Sequence, residues 1–305
     1  MFDDLPGSIW IDGKIVPWKK AKLHVMTHAL HYASSVYEGL RSYNGKILKA
    51  RMHYERFHES ADYLDFKIPY SVEELMNATQ DLVTNGGYIN GYIRTIAWCG
   101  SKKMTVSNLD SDVHVAIAVW ERKLIYPESY YTEGIRMNLA NWRRPDPTTA
   151  PVHSKAAGLY MTSSMSKAES ERLGFNDALM LDYQGNIAEA TSSNFFMVID
   201  SKLYTPSPDC FLNGITRRTC LAIAKNLGIE TYETKLNLKD LNRAQEAFLT
   251  GTAIEILPVG SIEGNGSVWK FKPGEVTAKI RAEFKRMINN FIEALEKGTI
   301  RVASK

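Results

Sequence analysis

Pro145, Pro147 and Pro151 fall within seven residues, and no regular helix or strand survives that spacing. Each proline removes a backbone donor and fixes φ. The stretch from Glu121 to Pro151 therefore reads as polar, aromatic and mostly irregular, with one strand expected inside it at residues 135–142. Its earlier part, Glu121 to Tyr131, is the expected connection between two domains. The division this implies is a small N-terminal α/β domain at 1–121, a connecting loop at 122–133 and a larger C-terminal α/β domain at 134–305. A chain of 305 residues is long enough to give each domain its own core.

On either side of that break the chain is punctuated by turns. Asp12-Gly13 and Asn44-Gly45 each separate short β-prone runs, which is a hairpin signal. Helical periodicity follows in Phe57, Ala61 and Leu64, and again in Leu75, Met76, Thr79 and Leu82 behind a Ser71-Val72-Glu73-Glu74 start. Strands are expected at residues 92–98 and 113–120. The second half opens with a helix at about 157–173 stopped by Gly174. A meander is expected at 177–181, 187–191, 194–199 and 202–205, then a helix from about Thr216 to Gly228 with a face of Leu221, Ala224 and Leu227. A strand at 247–249 follows. Val276, Ile280, Phe284, Met287, Ile288, Phe291 and Leu295 mark an amphipathic C-terminal helix. The alternation of strands and helices places the chain in the α/β (α+β) class, and no fixed-period repeat is present.

Bulk properties exclude several functions. A net charge of +3 with no dominant Lys/Arg block gives no support for nucleic-acid or membrane-surface binding. The segment from Met1 to Trp10 has no basic n-region, and no apolar run reaches spanning length. Cys99, Cys210 and Cys220 are odd in number and lack CxxC spacing, so reduced, inert thiols in a cytoplasmic protein are expected.

Five places could carry chemistry. His24, His28 and His31 have helical spacing, but no Cys or carboxylate stands among them, and a packed segment is expected in place of a metal site. Lys155 lies among small residues, Pro151-Val152-His153-Ser154-Lys155-Ala156-Ala157-Gly158, just before a helix. Such neighbours let a bulky ligand reach the amine and shield it from water, the conditions of a Schiff-base nucleophile. Leu212-Asn213-Gly214-Ile215-Thr216-Arg217 is a turn into a helix, whose free N–H groups and Thr216 hydroxyl suit an anion or, equally, an ordinary helix cap. Thr250-Gly251-Thr252-Ala253 has the same small, hydroxyl-rich character. Glu189, flanked by alanines in the meander, either faces water or meets a buried cation.

In order along the chain, these pieces resemble the bacterial branched-chain amino acid aminotransferases. The match begins at His28-Ala29-Leu30-His31-Tyr32 and Val36-Tyr37-Glu38-Gly39-Leu40-Arg41. It continues through Arg56, Tyr92-Ile93-Arg94, Lys155 with Tyr160, Glu189 before Asn194-Phe195-Phe196, Gly214-Ile215-Thr216-Arg217 and Gly251-Thr252-Ala253. The resemblance runs from about Ile9 to Ile262. It implies the two-domain fold-type-IV arrangement with pyridoxal 5'-phosphate between the domains. Lys155 would hold the cofactor and shuttle the proton, Glu189 would face the pyridine nitrogen, and Tyr160 the phenolic oxygen. Arg56, Gly214, Ile215, Thr216 and Thr252 would hold the phosphate. Tyr92 with Thr252 and Ala253 would receive the α-carboxylate, Arg94 the second carboxylate of 2-oxoglutarate, while Tyr32, Tyr37 and Trp120 would wall the side-chain pocket. Branched-chain L-amino acids and 2-oxo acids are the implied partners, in a homodimer or larger homo-oligomer whose neighbouring subunit completes each site.

The chain departs from the pattern at four places: Asn213 and Thr95 stand where proline is expected, Ile254 replaces a small residue, and the loop from Glu121 to Tyr131 carries Arg122, Lys123 and Tyr126. D-amino acid or (R)-amine aminotransferases and aminodeoxychorismate lyases share the lysine, glutamate and phosphate elements. The Val36-Tyr37-Glu38-Gly39 stretch with Tyr92-Ile93-Arg94 favours the branched-chain reading over them. Joint retention of Lys155, Glu189 and Arg56 argues against a non-catalytic binding protein.

Overall fold

The computed structural model describes residues 1–122 and 126–297; Lys123, within the connecting loop, lies outside the described residues. Two compact units emerge. One holds the described residues of Met1–Lys123, Ser154–Gly158 and Ile288–Lys305, the other those of Leu124–His153 and Leu159–Met287. The segment bearing Lys155 belongs to the first unit, not to the C-terminal half where the sequence reading placed it. The reason is local pairing: Ala156 bridges Val36, the Tyr37 amide donates to the Lys155 carbonyl at 3.2 Å, and the Lys155 amide donates to Ser60 Oγ at 3.0 Å.

The first unit contains β1 (Ser8–Ile11), β2 (Lys14–Pro17), α1 (His28–Tyr32), β3 (Ser35–Tyr43), β4 (Lys46–Ile47), α2 (Ala50–Asp62), α3 (Val72–Asn85), β5 (Gly91–Cys99) and β6 (Val113–Glu121). Its six strands form an antiparallel sheet in the order β2-β1-β6-β5-β3-β4. Both expected hairpins are present, with Asp12, Gly13, Asn44 and Gly45 all at positive φ, the backbone that such tight turns require. The expected capping box also forms, Ser71 and Glu74 exchanging hydrogen bonds at the start of α3. Helices α2 and α3 bring Tyr54, Phe57, Ala61 and Leu75 into a fully buried core with Leu40, Ile93, Ile117 and Val119 of the sheet. Within that core the Tyr54 hydroxyl meets Thr79 and lies 3.0 Å from Thr95 Oγ1. Burial pushes it up to about 12.

The second unit contains α4 (Tyr130–Glu133), β7 (Ile135–Leu139), α5 (Tyr160–Arg172), β8 (Asp177–Leu181), β9 (Ile187–Ala190), β10 (Asn194–Ile199), β11 (Lys202–Pro206), α6 (Ile215–Asn226), β12 (Thr231–Thr234), β13 (Glu246–Gly251), β14 (Glu255–Gly264), β15 (Ser267–Lys270) and the start of α7 (Glu275–Glu296). Its strands run β12-β11-β10-β13-β14-β7-β8-β9, with β15 on β14. One further pairing, Asn194 opposite Glu189, joins β9 back to β10 and closes six of these strands into a ring. Phe195, Met197, Leu249, Leu257 and Val259 fill its core.

Three expectations need correction. Strand β7 ends at Leu139, short of Trp142. The buried face of α6 is Cys220, Ile223 and Ala224, while Leu227 is exposed. The ten-residue β14 was not foreseen, because Pro258 and Gly260 mask its pattern; the register shifts between Val259 and Ser261, as a bulge would cause. Among the described residues no helix is long and apolar enough to cross a membrane.

Replacing Tyr54 with Phe keeps the ring and removes the hydroxyl shared by Thr79 and Thr95. Urea unfolding should report a loss of about 2 kcal/mol, the cost of stranding buried polar groups. An unchanged midpoint would mean that the hydroxyl contributes nothing to the core.

Candidate active site

Two faces of the first unit's sheet do different work. Residues alternate sides along a strand, and cross-strand partners share a side. Gly39 pairs with Arg94, Arg41 with Tyr92, and Tyr92 with Trp120, so Tyr37, Tyr92, Arg94 and Trp120 line one face. The Arg94 guanidinium stands 4.5 Å over the Tyr37 ring, and the Tyr92 and Trp120 rings are 5.1 Å apart. Gly39 makes this possible, since a Cβ there would sit 2.3 Å from the Tyr92 hydroxyl. Lys155 Nζ lies 4.9 Å over the same Tyr37 ring. Its backbone is clamped on both sides by the bonds to Ser60 and Tyr37, and Ser154 Oγ donates to the Ser60 carbonyl at 2.9 Å.

The opposite face carries Glu38, a fully buried carboxylate. Arg56 of α2 grips it with two bonds, Nε to Oε1 at 2.6 Å and Nη2 to Oε2 at 2.9 Å, and His53 Nδ1 donates to Oε2 at 2.7 Å. Burial alone would raise the Glu38 carboxyl, but Arg56 and then His53 outweigh it and hold the group well below its usual range. Burial lowers His53 in turn, with Glu38 opposing and the charges of Arg56 and Lys155 assisting. Glu38 was not read as a site residue. The signal was available: Val36, Glu38 and Leu40 share one strand face, and its two neighbours there are apolar.

In the second unit Asn194 is the hub. Its Nδ2 donates to Glu189 Oε2 at 3.3 Å and to the Leu212 carbonyl at 3.0 Å, and its Oδ1 accepts from the Gly214 amide at 3.2 Å. Glu189 is buried, and Arg144 Nε lies 3.3 Å from its Oε1. Arg144 also donates to the Leu159 carbonyl and to Ser163 Oγ, on either side of Tyr160 at the start of α5. Gly214 is the N-cap of α6 and offers no side-chain cap, which leaves Ile215 and Thr216 at the exposed-donor end of the helix. A Cβ at Gly214 would lie 2.2 Å from Asn194 Oδ1. Thr250, paired with Asn194 across the ladder, is buried with no hydrogen-bond partner for its hydroxyl among the described residues. Thr252 and Ala253 form the turn that follows. The departure at Asn213 has a use: its Oδ1 accepts from Arg217, a fully buried arginine that also donates to the Pro206 carbonyl and to Glu233. Ile254 packs into the core. Arg144 sits in the proline-rich stretch, where no period marks a buried side.

The remaining candidates lie elsewhere. Tyr32 is 43% exposed. His28 is buried, its Nε2 donating to the Thr105 carbonyl at 2.8 Å and its Nδ1 2.6 Å from Ser34 Oγ. His24 Nδ1 accepts from the Met26 amide, and His31 Nε2 lies 3.0 Å from the Val25 carbonyl and its ring faces Tyr32. No group of three metal-capable side chains exists among the described residues. All three cysteines are buried and stand outside any disulfide among the described residues, and burial raises Cys99 and pushes Cys210 up to about 12.

The first unit thus carries a clamped lysine, and the second a buried carboxylate held by Arg144 and Asn194 beside a helix start without a side-chain cap. The family model of class IV amino-transferases matches residues 35–262, and the chain belongs to that family. It is 40% identical over 280 residues to the probable branched-chain-amino-acid aminotransferase of Rickettsia felis, covering 92% of this chain and 95% of that one. The crystal structure of the Escherichia coli branched-chain amino acid aminotransferase is similar with a TM-score of 0.88 at 34% identity, covering 93% of this chain and 95% of its own. The branched-chain amino acid aminotransferase of Thermobaculum terrenum, in its PLP-bound holo-form, gives 0.84 at 27% identity, covering 93% and 94%.

The Glu38–His53–Arg56 cluster predicts a pH dependence. His53 is depressed in the folded chain, so between its folded value and about 6.5 the unfolded state binds more protons. Stability is therefore lost as pH falls through that window. Glu38 adds a loss of the same sign only below about 4.3, the ordinary glutamate value. The denaturation midpoint should drop between pH 7.5 and 5.5, and His53→Asn should shrink that drop. An equal drop in both proteins would contradict the assignment.

Proposed function

We propose that this chain is a pyridoxal-phosphate aminotransferase exchanging the amino group between branched-chain L-amino acids and 2-oxoglutarate. The observation that carries the reading is Asn194, which ties the buried Glu189 carboxylate to the open start of α6. The residues present fit the cofactor. Gly214 leaves out the Cβ that would collide with Asn194 Oδ1 at the start of α6, and the hydroxyl of Thr250, paired with Asn194, is buried with no hydrogen-bond partner among the described residues. When bound, pyridoxal phosphate supplies an electron sink for the bond cleaved at Cα.

The chain's own residues do the rest. Lys155 Nζ would hold the cofactor and supply the base that moves the proton at Cα. Its clamped backbone limits the amine to side-chain motion. Glu189 would face the pyridine nitrogen, and Arg144 and Asn194 hold its carboxylate in place. Ile215 and Thr216 offer backbone N–H groups to the phosphate, helped by Thr252 and by Arg56, which Glu38 orients. Tyr160 donates to the phenolic oxygen. Tyr92 with Thr252 and Ala253 receives the α-carboxylate, and Tyr37 and Trp120 wall the side chain. Arg94 makes no hydrogen bond or ion pair among the described residues and rests on the Tyr37 and Tyr92 rings. It is the cation for a second carboxylate, which lets one pocket serve leucine and glutamate alike.

Exposed Tyr32 walls a pocket only when another copy of the chain meets it. Val25, Met26, Val106 and Leu109 are also exposed apolar groups, and a homo-oligomer covers them. Three buried cysteines outside any disulfide among the described residues accord with a cytoplasmic location.

Purified protein should absorb in the visible through its lysine-bound cofactor. Lys155→Ala should lose that band and at least about a hundredfold in turnover; an unchanged band would remove Lys155 from the role. Arg94→Leu should raise KM for 2-oxoglutarate about 10- to 100-fold, the worth of a charged hydrogen bond, and change KM for leucine far less. Equal effects on both substrates would remove Arg94 from the distal carboxylate.

A further inference from the structure

The face that carries Tyr92, Arg94 and Trp120 does not end at Arg94. Further along β6 the same side holds Ala118, opposite Arg94, and Ala116, opposite Ile96. Across the other edge of β6, Ile9 pairs with Ala118 and Ile11 with Ala116. Alanine is an unusual choice in a central strand, where β-branched and aromatic side chains fill the surface. The other side of the same strand follows that rule with Val115, Ile117 and Val119, all fully buried. The two alanines leave the floor of a cavity of about 270 Å³. Ile9, Ile11, Ile96 and Trp98 complete the floor, and Leu23, Ala29 and Leu30 form the wall above it.

The charges around this groove have one sign. Arg94 lines it, with a buried Nε that finds no hydrogen-bond partner among the described residues, and Lys22 lines it as well. No aspartate or glutamate is part of the lining. A half-buried guanidinium beside an apolar trough is complementary to one class of small molecule: a monoanion with a hydrocarbon tail. The volume suits a short or medium-length chain.

We infer that this groove is a binding site for amphipathic monocarboxylates, with the carboxylate on Arg94 and the tail over Ala116 and Ala118. The site differs from the side-chain pocket walled by Tyr37 and Trp120, and only Arg94 is common to both. A molecule in the groove therefore withholds Arg94 from any dicarboxylate that uses it. The groove is defined by the first unit alone and does not depend on the aminotransferase reading.

Calorimetric titration of the purified, cofactor-loaded protein with pentanoate, hexanoate and heptanoate tests the inference without measuring turnover. One molecule should bind per chain. Each added methylene should tighten binding about fourfold, as burial of one such group predicts. Hexan-1-ol should bind at least tenfold more weakly than hexanoate. Ala116→Leu fills the groove from its floor and Ala29→Leu from its wall, so each should weaken hexanoate at least tenfold while thermal unfolding and molar mass stay as in the unaltered protein. If Ala116→Leu fails to fold, Ala29→Leu carries the test. Absence of binding, equal affinity for the alcohol, or hexanoate binding undiminished in both variants would overturn the inference. Dissociation of the assembly in the folded variants would overturn it too, by assigning the groove to a second copy of the chain.

Discussion

One cross-strand pair, Asn194 opposite Glu189, does two jobs that would otherwise need separate devices. It joins β9 to β10 and so closes the ring of strands in the second unit. It also sets an amide beside a carboxylate, because partners across an antiparallel ladder share a face. The amide then reaches the Leu212 carbonyl and the Gly214 amide, which fixes the start of α6 relative to Glu189. Under the proposed function, a phosphate cradle and a carboxylate for a ring nitrogen must keep a constant separation if one rigid molecule is to use both. Here a single side chain spans that separation, and Gly214 is the residue that tolerates its approach.

Buried charge is the second constraint, and both units meet it in the same way. An ionised carboxylate without water is sustained only by close cations and donors. Glu38 has Arg56 and His53; Glu189 has Arg144 and Asn194. In each case the pairing also orients a group that the proposed chemistry needs, the Arg56 guanidinium in one unit and the Glu189 carboxylate in the other. The first unit's sheet separates these tasks by face. Glu38 and the apolar core lie on the helix side, while Tyr37, Tyr92, Arg94 and Trp120 stand on the other. Period-two alternation is what lets adjacent residues such as Tyr37 and Glu38 serve different purposes.

Much of this was legible in the residues. Hairpins at Asp12-Gly13 and Asn44-Gly45, the cap at Ser71 and the breaks at Gly174 and Gly228 are local signals, and local signals survive folding. Lys155, Glu189 and Gly214 stood out through unusual neighbours. What escaped depends on contacts distant in the chain. Nothing near Arg144 announces that it will meet Glu189, and nothing near Ser154 announces that the lysine segment will pair with β3 and α2. Strand β14 was hidden by Pro258 and Gly260, residue types that seldom stand inside a strand; the register shifts at Gly260, while Pro258 pairs with Phe248. Leu221 and Leu227 misled because hydrophobicity alone does not tell which side of α6 meets the sheet.

The central claim is that these residues move an amino group on a substrate of one handedness. The measurement that tests it most directly supplies the purified protein with 2-oxoglutarate and either pure L-leucine or pure D-leucine, then determines the glutamate formed and its chirality. L-glutamate from L-leucine, with none from D-leucine, is the predicted result. D-glutamate, or no glutamate from L-leucine, valine or isoleucine, would contradict the account.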